Sequence, residues 1–396
     1  MREPLIFPPV RSADVSVLPT MVRVETEEQQ RSSDAGYLPL DPASILVSML
    51  LPIGDTLLAT PALTALRHHF PRARITAIAQ PSNGGILEDN PNIDRLVYVT
   101  ERGRQGAARN LIRSMTEIRQ EKYDLVINLS PVGAIILFMA GVYRKPLRVE
   151  MPRLWWLLGG HSQTYRLRHA VDQYLHAIAP ILDGQLSPED RQPRLYLTAR
   201  DRTAARKILR ERGLSPANML VTMHVGGEGF NGRKRWAPER FTAVARHLAE
   251  RFNAHILLIG GKDDVELAED VHAQVPNNST MLAGRTTLKE SGALIEMSAL
   301  FIGNDSCPLH MSAAVGTPAV GIFGPSNYKQ FHPVGKANYR QRVVHSNLPC
   351  SPCFNFIGND APWVPNTCYS HACLNTIGPD DVIKAAMELL QDPRDG

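Results

Sequence analysis

From residue 44 onward, short apolar runs alternate with stretches whose apolar positions recur every three or four residues. Ser44–Leu51 (SILVSMLL) is almost unbroken, as a strand covered on both faces of a parallel sheet requires. Pro52-Ile53-Gly54-Asp55-Thr56 follows, and a helical pattern then runs through Phe70 with Leu57, Leu58, Leu63 and Leu66 on its apolar side. Strands are predicted at Arg74–Ala79, Arg95–Val99 and Asp124–Leu129, separated by helices near 106–120 and 132–140. His169–Leu182 reads as an amphipathic helix. The second half repeats the rhythm, with strands at Met219–His224, His255–Ile259, Thr280–Ala283, Leu300–Ile302 and Ala319–Phe323. Helices are predicted at Arg200–Arg212, from Pro238 to about Phe252, at Leu288–Met297 and at Pro379–Leu390, the last packing back across the domain interface. The alternation predicts an α/β protein of two Rossmann-like, doubly wound domains.

The chain is organised around Ala299–Asn327. A strand runs into Gly303-Asn304-Asp305-Ser306, Cys307-Pro308-Leu309-His310 opens an Ala-rich helix, Gly316-Thr317-Pro318 stops it, and a second strand follows. Asp305 and Ser306 are N-cap residue types, and Pro308 suits a first helical turn. The unsatisfied N–H groups and positive dipole end of such a helix point to an anion, above all a phosphate, at the carboxyl end of the sheet. The plain alternative is a well-capped βαβ turn.

Length and composition narrow the field. A chain of 396 residues accommodates two domains. Residues 1–40, rich in Pro, Ser, Glu and Gln, read as a poorly ordered tail in which Val15–Val24 could add an edge strand. Residues 41–190 form one domain, and 191–396 form the second after a Pro- and Arg-rich linker near Leu186–Arg194. Apolar residues make up 43% and charged residues 21%, the values of a soluble globular protein. A net charge of +4 does not indicate nucleic acid. No apolar stretch is long enough to span a bilayer, and the opening MREPLIFPPV lacks a signal layout, so a cytoplasmic protein is expected. No G-x-G-x-x-G follows the first strand, which argues against a nicotinamide dehydrogenase. Tyr143–Arg168 interleaves six Arg and Lys residues with Trp155, Trp156 and Tyr165. This stretch is a site for an anionic or amphiphilic acceptor, or a foothold at a membrane surface such as the inner face of the cytoplasmic membrane, or else a solvated basic face over a few core aromatics.

Two such domains set their strand-end loops face to face around a cleft. In the second domain, Lys234 supplies a point cation for a diphosphate and Arg235 a second one. Gly226 and Gly227 admit close backbone approach. Asp264 stands where ribose hydroxyls could donate to it, and Ser306 and His310 stand at the helix start. In the first domain, Asp55 behind Gly54 is placed to take a proton from an acceptor hydroxyl, or else is a helix N-cap. Cys350, Cys353, Cys368 and Cys373 give C-x2-C-x14-C-x4-C. In a reducing compartment that spacing suggests a structural tetrathiolate zinc or iron site, in a loop spanning 350–373, rather than disulfides.

Several stretches in order, from ILVSMLLPIGDTLLATPALTALRHHFP through HAVDQYL, KRWAPERF, IGGKDD and LAGRTTL to GNDSCPLHMSAAVGTPAVGIFGPS, resemble the ADP-heptose:lipopolysaccharide heptosyltransferases of glycosyltransferase family 9. The resemblance covers roughly Ile45 to Leu390. It implies a GT-B fold and inverting, metal-independent transfer of heptose from ADP-heptose to a glycan such as the lipopolysaccharide core. It also implies Asp55 as general base, Lys234 on the donor diphosphate, Asp264 at the ribose, Thr286 at the adenine, and Asp305, Ser306, Cys307 and His310 in the donor-binding turn. Cys307 departs from the glycine often found there, and Gly226 and Gly227 stand where some members carry hydroxyl side chains. Some members that glycosylate proteins are similar in carrying a cysteine-bound iron. Competing readings are the same fold acting on a natural product or a protein side chain, a sugar-nucleotide epimerase, and a non-catalytic sugar-nucleotide binder.

Overall fold

The computed structural model describes residues 41–99, 107–130, 133, 136–137, 140–141, 147–150, 168–182, 186–215, 217–227, 232–353 and 371–391. The tail at 1–40, most of the basic-aromatic stretch 143–168, parts of the helix read at 132–140, and Cys368 lie outside the described residues.

In the first half, β1 (Ser44–Ser48), α1 (Ile53–Leu58), α2 (Thr60–His69), β2 (Arg74–Ala79), α3 (Gly84–Leu87), β3 (Arg95–Tyr98), α4 (Ala107–Arg119), β4 (Leu125–Asn128), β5 (Leu147–Glu150) and α5 (Ala170–Ile178) follow in order. The second half holds α6 (Ala199–Arg210), β6 (Leu220–His224), α7 (Pro238–Phe252), β7 (His255–Leu258), α8 (Val265–Gln274), β8 (Ser279–Met281) and α9 (Leu288–Glu296). It continues with β9 (Leu300–Asn304), α10 (Cys307–Val315), β10 (Ala319–Phe323), α11 (Tyr328–Phe331), β11 (Gln341–His345), α12 (Ala372–Asn375) and α13 (Pro379–Leu390). Two sheets result, ordered β3-β2-β1-β4-β5 and β11-β10-β9-β6-β7-β8. Every pairing in both is parallel. The strand order therefore reverses between β1 and β4 in one sheet and between β6 and β9 in the other.

The alternation of side chains along each strand sorts the core. In the second sheet Val221, Met223, Ile256, Leu258, Leu300 and Ile302 face Phe241, Val244 and Leu248 of α7 and Val382 and Leu389 of α13. Leu220, Leu257, Phe301 and Phe323 point to the other face and join Leu209, Leu294 and Leu309. That second cluster is continuous with Ile45, Val47, Leu57, Leu58, Leu63 and Leu66 of the first sheet and its helices, so apolar packing runs unbroken between the lobes.

Three readings change. The strands β5 and β11 are edge strands not legible from the sequence, because an edge strand needs only a partner backbone and no continuous apolar run. The long helix expected after β1 is two helices, broken at Ala59. Helix α13 does not return across the interface: it packs on α7 and on β9–β11 of its own lobe. There Arg240 of α7 donates to the carbonyls of Leu374, Asn375 and Ile377 just before it.

Leu63 is wholly buried in the shared cluster. Leu63→Ala is expected to lower the unfolding free energy by about 3 kcal/mol, within the range for leucine truncation in a core. Urea titration of the full chain measures this, and a loss below about 1 kcal/mol would mean that the lobe interface relaxes around the cavity.

Candidate functional site

The loops after β6, β7 and β9 meet over the strand-order reversal of the second sheet. Asn304, wholly buried at the end of β9, holds two of their segments in place. Its amide nitrogen donates to the carbonyls of Val225 and Gly226 at 2.9 Å each. Its oxygen accepts the backbone N–H of Trp236 at 3.1 Å. One primary amide thus locates both the glycine loop and the segment carrying Lys234.

Lys234 reaches Asp305 Oδ2 at 2.6 Å. Burial would raise the Asp305 carboxyl, but Lys234 and then His310 outweigh it and hold the group below the usual carboxylate range. His310 Nε2 lies 4.0 Å from Asp305 Oδ1, while its Nδ1 is buried without a partner. Burial lowers this imidazole to about 4, against the pull of Asp305, so it is neutral at pH 7.

Three of the expected contact residues are also tied to the protein itself. Ser306 occupies the N-cap position of α10, yet its side chain makes no capping bond. Its hydroxyl lies 2.9 Å from His224 Nδ1 and 3.1 Å from the Asn304 carbonyl. Asp264, expected at a ribose, makes three contacts within the protein. Its Oδ1 accepts the Gly227 N–H at 3.1 Å, and its Oδ2 accepts the Gly261 N–H at 2.8 Å and faces His224 Nε2 at 3.2 Å. Burial works against the charge, but the His224 hydrogen bond and these amides hold the carboxyl at about 2. A Cβ on Gly226 would fall 1.7 Å from Asp264 Oδ1, so that glycine is the space the carboxylate fills. Arg235, expected on a phosphate, donates from Nε to the Gly227 carbonyl at 3.1 Å and braces the same loop. Thr286 stands past β8, its hydroxyl 2.8 Å from that of Ser291.

Asp55 is not an N-cap. Pro52 holds the cap position of α1 without a side-chain bond, and Asp55 sits in the first turn. The Tyr174 hydroxyl of α5 donates to Asp55 Oδ1 at 2.9 Å. The first lobe meets the second here: a Cβ built on Gly54 lies 3.7 Å from Cys307 Cα. Burial and the adjacent Asp55 carboxylate push the Cys307 thiol up to about 12, so it is neutral. His169 completes the junction. Its Nδ1 accepts the Val171 N–H and caps α5, which leaves Nε2–H to donate to the His332 carbonyl at 2.8 Å.

Sequence reasoning missed His224, Asn304, Tyr174 and His169 as site components. For His224 and Asn304 a signal existed, since each is a polar residue ending an otherwise apolar buried strand. Tyr174 and His169 lie in the family-like stretch HAVDQYL, but their partners, 119 and 163 residues away, are not readable from it. Of the four cysteines in the expected 350–373 site, Cys368 lies outside the described residues, while Cys373 is buried in the core under α13 and Cys350 is exposed. A groove of about 570 Å³ between β11 and α13 lies at the sheet edge and contains none of the cleft residues.

Two parallel α/β lobes joined over a cation, a helix start and a carboxylate define a nucleotide-sugar transferase of the GT-B type. The family model described as glycosyltransferase family 9 (heptosyltransferase) matches residues 111–359. That is more than half of the chain, which therefore belongs to this family. Lipooligosaccharide heptosyltransferase 2 of Campylobacter jejuni is 25% identical over 346 residues, 86% of this chain and 96% of its own length. The crystal structure of a family 9 glycosyl transferase from Veillonella parvula matches with a TM-score of 0.74 and 27% identity, over 90% of this chain and 99% of that one. ADP-heptose lps heptosyltransferase II of E. coli shares the fold, with a TM-score of 0.67 and 20% identity over 88% and 98% of the two chains.

The buried neutral histidine sets an acid limit. His310 takes up a proton in the unfolded chain near 6.5 but in the fold only near 4. Its contribution is therefore complete above pH 6.5 and is lost as pH falls toward 4, on the order of 3 kcal/mol for this group. Urea unfolding across that window is expected to show a shallower pH slope in His310→Gln than in the native chain. An unchanged slope would assign the acid sensitivity to other groups.

Proposed function

We propose that this chain moves heptose from ADP-heptose to a hydroxyl of a lipopolysaccharide-core-type acceptor in one inverting displacement. The observation that carries the reading is the meeting at Cys307. The first lobe brings Gly54 and Asp55 against the first turn of α10, and the Lys234–Asp305 pair flanks the same turn. The names of the relatives point to the donor and the acceptor class.

The chemistry follows from that placement. The acceptor oxygen attacks the anomeric carbon while Asp55 takes the hydroxyl proton, and the bond from that carbon to the diphosphate oxygen breaks on the opposite side. The departing ADP carries the electron pair as added negative charge. Lys234 and the N-terminal amides of α10 oppose that charge more strongly in the transition state than in the bound donor. Among the described residues no acceptor reaches the N–H of Ser306 or Cys307, which keeps both for the diphosphate. Tyr174 orients the base. Asp264 and Arg235 act on the glycine loop rather than on the ligand. The displacement is written without a metal, the departing charge being met by Lys234 and the α10 amides. No helix among those residues is long and apolar enough to cross a membrane, so contact with a lipid-linked acceptor would be peripheral.

Asp55→Asn is expected to keep ADP affinity within about twofold and to lose transfer by about a hundredfold or more, as for removal of a general base. Lys234→Ala is expected to weaken ADP by about tenfold or more, the scale of one charge-assisted contact. Calorimetry with ADP and turnover with ADP-heptose measure the two effects. Unimpaired turnover in Asp55→Asn would remove it from the mechanism, and ADP binding without turnover on any saccharide acceptor would favour a non-catalytic binder.

A further inference from the structure

Beneath the glycine loop lies a chain of three buried or part-buried side chains, Asp264–His224–Ser306, whose central member has no role in the mechanism above. We propose that His224 is a positioning residue for the donor. It fixes the Ser306 hydroxyl directly and the Gly227 peptide through Asp264, and so holds both sides of the diphosphate subsite in register. This inference rests on the reading that a nucleoside diphosphate lies at the start of α10.

His224 is the last residue of β6, and its register partner on β9 is Gly303. It stands where the strand order reverses, under the point at which open α/β sheets take their ligands. Its side chain is only 4% exposed. A Cβ on Gly303 would come within 3.2 Å of His224 Cβ, so the register partner is bare where the imidazole begins. Both ring nitrogens are engaged, Nδ1 with Ser306 Oγ at 2.9 Å and Nε2 with Asp264 Oδ2 at 3.2 Å. A residue serving only to fill the core would need neither contact.

Ser306 shows what the contact accomplishes. A serine at an N-cap ordinarily turns its hydroxyl to the N–H of the second or third helical residue. In α10 the second residue is Pro308, which has no N–H, and the Leu309 N–H is taken by the Ser306 carbonyl at 3.1 Å. The hydroxyl is therefore not held by its own helix. The Asn304 carbonyl and His224 hold it, beside the Ser306 and Cys307 amides that face the anion. On the far side, Asp264 spans from His224 to the Gly227 N–H, and Gly227 has φ +135°. Few side chains adopt that conformation, so the peptide needs an external restraint to keep its direction. One imidazole thus ties the ends of three strands, β6, β7 and β9.

The two arms can be cut separately. An asparagine amide reaches about where Nδ1 lies and a glutamine amide about where Nε2 lies, so His224→Asn keeps the Ser306 arm and His224→Gln the Asp264 arm. His224→Phe keeps the volume and loses both. Titration of the full chain with ADP, with donor KM, acceptor KM and kcat measured in parallel, is the test. His224→Asn and His224→Gln are each expected to raise the ADP Kd and donor KM by about threefold to tenfold, the scale of one hydrogen bond, with acceptor KM little changed. His224→Phe should raise them further. The double variant His224→Phe with Ser306→Ala should be no weaker than His224→Phe alone, whereas pairing His224→Phe with Lys234→Ala should multiply the two effects. A packing role alone would lower Tm without this split between donor KM and acceptor KM. Should His224→Phe fail to fold, the Asn and Gln variants carry the test, with Ser306→Ala combined with His224→Gln as the cycle. Unchanged ADP Kd and donor KM in folded Asn and Gln variants would overturn the proposal, as would multiplicative effects of His224 and Ser306. If those variants are silent while Lys234→Ala and Ser306→Ala weaken ADP, the donor reading stands and His224 alone falls. If the native chain binds no ADP, both fall.

Discussion

The donor lobe depends on a carboxylate placed where a side chain is missing. Asp264 lies beneath Gly226 and takes the amides of Gly227 and Gly261 together with His224. Three parallel strands end at this point, and their loops carry backbone donors that burial would otherwise leave unpaired, at a cost of about 1–3 kcal/mol each. A buried carboxylate can meet several such donors at once, and its charge makes each bond stronger than a neutral one. The loop can then be built from glycines, open to a ligand above and tied down from below. Asn304 plays the complementary part with three bonds of its own, joining the loop to the Lys234 segment.

The junction between the lobes follows a different logic. Its bulk is apolar and continuous, a single cluster running from Ile45 to Phe323. Polar contacts sit at its margins: Asn92 to the Tyr196 hydroxyl, Thr60 accepting the Arg194 N–H, and Lys289 to Asp89 and the Glu88 carbonyl. Apolar contact sets the approach and tolerates small sliding, while directional bonds choose one register. At that register Asp55 comes against Cys307. A neutral thiol there leaves the charge pattern of the cleft to Asp55 on one side and the Lys234–Asp305 pair on the other.

Particular residues show how far a linear reading reaches. Lys234, Ser306 and Asp55 were read as cleft groups, and Asp305 through the family resemblance, because strand ends and helix starts are visible as changes of apolar period and because turn chemistry is local. The internal contacts of Asp264 were not legible, because a carboxylate past a strand end shows neither the amides of Gly227 and Gly261 that it accepts nor the missing Cβ of Gly226 whose space it fills. Ser306 holds the N-cap position that was read for it but makes no side-chain capping bond, since Pro308 removes one N–H it would have met and its hydroxyl lies against a histidine 82 residues away. The strands β5 and β11 escaped notice for a related reason: edge strands are recruited by a neighbouring backbone rather than declared by their own side chains.

What the amino-acid order settled by itself was the alternation of parallel strands and helices, the family motifs and the residue types at each strand end. These rest on interactions within a few positions: side-chain period, cap chemistry, and the conformational limits of glycine and proline. Which of those residues face a ligand and which hold another residue was decided by the fold. His224, Tyr174 and Asn304 acquire their roles from partners between 40 and 119 residues away, and contacts at that range exist only once each lobe is assembled.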